Sequence, residues 1–153
     1  MADLGLLLVL GAALAGCGGQ GAVRSPDPGA LPLVGGTRVV AQVKQCDTGA
    51  NAYCAIEVVV LAPSLSTSGE LVAIERRVLL EHGWTRAHPD TGEEMAADSP
   101  GEKIHLNYAT AYGDLLGIDL GWIHRSTAIE MALSKAMFAR VPAMSLMMEL
   151  GST

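Results

Sequence analysis

Apolar residues follow three different patterns along this chain. Leu4 to Leu14 is one compact run, LGLLLVLGAAL. It has the length of a signal-peptide core and is too short to cross a bilayer as a helix, which takes roughly 20 residues. Arg38–Cys46 and Cys54–Ala62 are instead β-branched and extended in character. The stretch between them, Asp47-Thr48-Gly49-Ala50-Asn51-Ala52-Tyr53, is rich in turn formers and predicts a hairpin. If Cys46 faces Cys54, then Lys44 faces Ile56, Gln42 faces Val58 and Val40 faces Val60. The opposite face, with Val39, Ala41, Val43, Val59 and Leu61, is the more core-like, although Glu57 sits on it. Pro63 stops the ladder.

The third pattern is helical. Thr67-Ser68-Gly69-Glu70 has capping-box spacing, a hydroxyl for the N3 amide and a carboxylate reaching back to the cap. Glu70 to His82 follows with an apolar stripe of Leu71, Ile74, Val78 and Leu79, and an Arg77–Glu81 pair at i,i+4. Gly83 is placed as the left-handed cap residue and His82 as a helix-end histidine. Trp84–His88 is a short candidate strand, Pro89–Gly92 a turn, and Glu93–Glu102 an acidic loop. Lys103–Tyr112 alternates, with Ile104, Leu106 and Tyr108 opposite His105, Asn107 and Ala109, and predicts a half-buried strand. Gly113–Ile123 is apolar but broken by glycines, one helical turn and a loop or a short strand. Thr127 to Glu130 repeats the capping spacing, and the helix through Arg140 would bury Ile129, Ala132, Leu133, Ala136 and Met137. Pro142 ends it, and Ala143–Leu150 predicts a further short helix. The order ββαββα predicts an α+β fold, a four-stranded, mainly antiparallel sheet with both long helices on one face. One helix on each face is the alternative.

Composition adds exclusions. The 153 residues carry 10 Lys and Arg against 16 Asp and Glu, net charge −6. No basic cluster occurs, so nucleic acid is not an expected partner and an anionic membrane would exert no long-range attraction. Ala22–Gly36 holds Pro26, Pro28, Pro32 and several glycines without periodicity, which reads as a flexible tether. Residues 37–151 are then a single domain.

Leu14-Ala15-Gly16-Cys17 closes the N-terminal apolar run. It resembles the lipobox of bacterial lipoproteins at all four positions. The resemblance implies that residues 1–16 are a signal peptide, and that Cys17 becomes the mature N-terminus, with diacylglycerol on its sulfur and an acyl chain such as palmitate on its amine. Residues 17–36 would tether the domain to the membrane. The domain would lie on the extracytoplasmic side of a cell membrane or outer membrane, held by lipid, at about 0.8 kcal/mol for each buried methylene. Met1-Ala2-Asp3 departs from the pattern: it has an acid and no Lys or Arg, so either the α-amine supplies the charge or the start lies upstream. Beyond this motif the chain looks like the small bacterial lipoproteins with a secreted α+β domain.

With Cys17 taken by lipid, Cys46 and Cys54 remain as a pair in an oxidising compartment. A disulfide across the mouth of the hairpin fits their spacing and would contribute about 2.5 kcal/mol. Two buried thiols, or a pair of metal ligands, are the other readings.

Little else in the chain points to chemistry. His82, His88, His105 and His124 have no HxH or HExxH spacing, so neither metal nor cofactor is expected. Glu93, Glu94, Asp98 and Glu102 lack the alternating oxygen ligands of a calcium loop. No GxSxG occurs. Asp114, Asp119 and Glu130 could gather near His124 and Ser126 as a hydrolytic site, and Trp84, Tyr108, Tyr112 and Trp122 could line a ligand groove. The expected function is therefore a membrane-anchored cell-envelope lipoprotein whose domain binds an envelope protein or a small ligand, without catalytic residues. The alternatives are a small envelope hydrolase around His124 and Ser126, or a structural accessory subunit docking through an exposed Met144–Met148 patch.

Overall fold

The computed structural model describes residues 24–46, 53–87, 94–110 and 140–151. Its elements are β1 (Arg38–Cys46), β2 (Cys54–Leu61), α1 (Ser68–Glu81), β3 (Thr85–Arg86), β4 (Glu94–Asp98), β5 (Ile104–Ala109) and β6 (Ala143–Leu150). The strands form one antiparallel sheet in the order β1-β2-β6-β5-β4-β3. This corrects the expected four-stranded α+β fold with two helices on one face: the sheet has six strands, α1 is the one α-helix among the described residues, and the fold is mostly β. The expected helix over 127–140 lies outside the described residues, Arg140 excepted.

Two segments account for the difference. Ala143–Leu150, expected as a helix, is the central strand β6, paired with β2 on one side and β5 on the other. Its residues Ala, Met, Leu and Glu are good helix formers. Non-local pairing overrides that preference, because Met144, Leu146 and Met148 then fall on one face and all reach 0 % exposure. Glu94–Asp98, expected as loop, is β4, aligned from Glu94↔Ala109 to Asp98↔His105.

The first hairpin follows the predicted register from Cys46↔Cys54 to Gln42↔Val58. A bulge at Val40 then shifts it, so that Val39 and not Val40 opposes Val60. The predicted disulfide Cys46–Cys54 is present, with Cα atoms 3.9 Å apart. Every residue of β2 is buried, whereas β1 lies at the sheet edge with Val39 and Val40 exposed.

Thr67 caps α1 as predicted, its Oγ1 accepting from Glu70 N at 3.0 Å. The Glu70 carboxylate reaches one residue further back than a capping box, accepting from Ser66 N at 2.9 Å. At the other end Gly83 takes φ +80°; its N–H donates to Leu80 O and that of Trp84 to Leu79 O, a Schellman closure. His82 turns its Nδ1–H onto Val78 O at 2.7 Å, a helix-end role. Ser68 Oγ accepts from Ala143 N and so joins the start of the helix to the start of β6.

The larger core lies between α1 and the sheet face carrying Ile56, Val58 and Val60, with Leu71, Leu79, Leu106 and Tyr108. Each large aliphatic side chain buried there contributes about 1.5–3 kcal/mol. The face expected to be more core-like, with Val59 and Leu61, holds the smaller cluster.

Residues 24–36, read from composition as part of the tether, pack against the domain. Cys54 N donates to Arg24 O at 2.7 Å. A single 3-10 turn, Pro28–Ala30, is capped by Asp27, and Leu31 and Val34 enter the larger core. The segment is a strap: proline and glycine prevent a regular element, but Leu31 and Val34 are long enough to dock, and Leu33 packs against the same core.

Candidate functional site

Trp84 and Tyr108, two of the four aromatic residues expected in a ligand groove, lie beside one cleft. They are held there by the Schellman closure of α1 and by the alternation of β5. Arg76, Leu79, Thr85 and Arg86 are among its other lining residues, and it encloses about 10 Å³, room for roughly one water molecule. Trp84 is 5 % exposed and Tyr108 1 %. Both serve the core, and the cleft as it stands does not admit a larger ligand. Tyr112 and Trp122 lie outside the described residues, as do Cys17, His88, Asp114, Asp119, His124, Ser126 and Glu130.

Sequence reasoning missed a second constellation. Asp98 and His105 are directly opposed across β4 and β5, and His105 Nδ1 lies 2.7 Å from Asp98 Oδ1. The side chains are 29 % and 27 % exposed, so the pair meets solvent. Glu149 opposes His105 on the other side, which places acid, imidazole and acid in one row across β6, β5 and β4. A carboxylate on Nδ1 fixes the tautomer and orientation of an imidazole, leaving Nε2 as the reactive nitrogen. The pair is invisible when Glu93–Glu102 is read as loop, because only the strand register brings residues seven apart face to face.

The third feature is Glu75, which is fully buried at 0 % exposure among Leu71, Val72 and Leu79. Its Oε2 accepts from Val34 N at 3.0 Å, and its Oε1 has no hydrogen-bond partner among the described residues. Burial raises the carboxyl from 4.5 to about 7, the Val34 hydrogen bond opposing the rise. A signal for this residue exists in the sequence. Leu71, Glu75 and Leu79 fall at i, i+4 and i+8, the middle of the apolar stripe, where an acid is out of place.

Ser145, on the opposite sheet face, is also fully buried, and its hydroxyl has no partner among the described residues. Among those residues no cluster of three or more His, Cys, Asp or Glu could hold a metal ion, and no helix is long and apolar enough to cross a membrane.

No family model, curated protein or solved structure shows significant similarity to this chain.

Proposed function

We propose that the chain is a lipid-anchored protein of the bacterial cell envelope, with an extracytoplasmic β-rich domain that binds an envelope protein or a small envelope ligand. The observation that carries this reading is how the three cysteines divide. Cys46 and Cys54 form a disulfide, the mark of an oxidising compartment. Cys17 stands apart from them as the last residue of Leu14-Ala15-Gly16-Cys17, directly after an apolar run of signal-peptide length. Lipid would attach the chain through Cys17, and the acidic domain would remain in solvent beside the membrane.

Cys17→Ala tests the anchor. It is expected to move the protein out of the membrane fraction or to leave the precursor uncut; unchanged membrane attachment would sink the reading. For the domain, pull-down with the acylated protein and thermal-shift screening of envelope ligands are expected to recover a partner. An empty result in both would count against a binding role. The accessory-subunit alternative loses its docking patch, since Met144, Met147 and Met148 are 0–3 % exposed.

A further inference from the structure

The strap of residues 24–36 is fastened to the helix by one polar bond, Val34 N to Glu75 Oε2, and by the burial of Leu31 and Val34. We infer that Glu75 is a pH-dependent catch for the strap: its neutral carboxyl keeps residues 24–36 docked, and its ionisation releases them.

The argument is one of unmatched solvation. A buried carboxyl with one accepted hydrogen bond and one oxygen without a partner is tolerable when neutral and costly when charged. Among the described residues no cation bonds the unpartnered oxygen. Arg76, the next residue of α1, turns Nη1 toward Met95 Sδ at 3.6 Å. On the strap, Arg24 and Asp27 are at the surface, and Asp27 is engaged by Gly29 N. On the sheet face beneath α1, Ile56, Val58, Val60, Met144, Leu146 and Met148 are apolar, Tyr108 is the titratable member of the cluster, and Lys44 at the sheet edge is exposed. The strap meets this carboxyl at Val34, whose N–H favours the ionised form; undocking would forfeit that bond but let water reach the carboxylate, and the larger effect, burial, sets the direction.

The sign follows from linkage. The folded acid binds its proton more tightly than the solvated acid, so the docked state gains nothing from pH below about 4.5. Its stability falls as pH rises from 4.5 to about 7 and is flat above that. If undocking fully restores ordinary acidity, the equilibrium for strap opening rises by about 300-fold across that window. Under the proposed anchoring, release of thirteen residues would add roughly 40 Å of reach between lipid and domain. That consequence rests on the anchor reading, while the catch itself does not.

Amide exchange of the full chain, read at Val34 and at Val59 in the centre of β2 from pH 5 to 8, tests the catch. The Val34 protection factor is expected to fall by up to about 70-fold over that range while that of Val59 holds, and Glu75→Gln is expected to make Val34 independent of pH. Glu75→Met removes the ionisable group in a second way and gives the same flat profile should the glutamine variant fail to fold. A flat Val34 profile in the unmodified chain, an equal loss at Val59, or an undiminished pH dependence in the variants would each overturn the proposal.

Discussion

Two hairpins flank the central strand β6, and each is clamped at its loop end in a different way. In β1–β2 the clamp is covalent, Cys46–Cys54, on either side of residues 47–53. In β4–β5 it is a side-chain hydrogen bond, Asp98–His105, on either side of residues 99–104. The second loop has further supports. Ser99 Oγ accepts from Ile104 N at 2.9 Å, Glu102 N donates to Ser99 O at 2.8 Å, and Gly151 N donates to Lys103 O at 3.1 Å. Among the described residues a disulfide closes the first hairpin's loop end, whereas the second distributes its closure over several weak bonds. The covalent clamp is sensitive to reductant, and the hydrogen-bonded clamp is not. The first clamp holds an edge strand, and the second presents an oriented imidazole at the surface.

The comparison can be broken at its strongest point first. Cys46→Ser with Cys54→Ser should cost about 2.5 kcal/mol in a urea denaturation, the chain-entropy value for so short a loop. A reductant should reproduce the loss in the unmodified chain and leave the double variant unchanged. A loss under 1 kcal/mol would mean that the sheet alone holds β1.

The second hairpin should respond more to its backbone than to its charges. A Cβ on Gly151 would come within 1.7 Å of Glu102 O, a backbone atom that cannot turn aside. Gly151→Ala is therefore expected to cost roughly 2 kcal/mol, through displacement of the 99–104 loop from the end of β6. The same loop carries Gly101 at φ 71° and Glu102 at φ 53°, so it has little freedom to adapt. An unchanged melting temperature would show that the end of β6 yields instead.

Asp98→Asn should have the smallest effect. A part-exposed cross-strand pair contributes about 0.2–1 kcal/mol. A larger loss would mean that Asp98 supports more than His105.

The legible half of the molecule is the one whose interactions are local. The first hairpin, its register as far as the Val40 bulge, the Thr67 cap, the Gly83 stop and the alternation of β5 follow from neighbouring residues, and the chain alone announces them. β6 does not, because Ala143–Leu150 prefers a helix until β2 and β5 are already in place to receive it. β4 is concealed for a related reason: Glu, Ala and Asp are depleted in strands, and its pairing partner supplies the order. With Ala143–Leu150 expected as a helix and Glu94–Asp98 as a loop, four strands remain to pair, and the four-stranded sheet follows from both misses. Of the candidate site, Trp84 and Tyr108 were legible as large aromatics that converge. Asp98–His105 was not, since it depends on strand register. Glu75 was legible and passed over, as an acid on an apolar stripe is easily counted as an edge residue.

Whether the chain is anchored through Cys17 decides the wider account, and mass spectrometry of the N-terminal peptide from the membrane-extracted protein tests it most directly. The account predicts a chain that begins at Cys17 and carries the mass of diacylglycerol on that residue. A chain in which Ala15, Gly16 and an unmodified Cys17 remain joined within one peptide would contradict it.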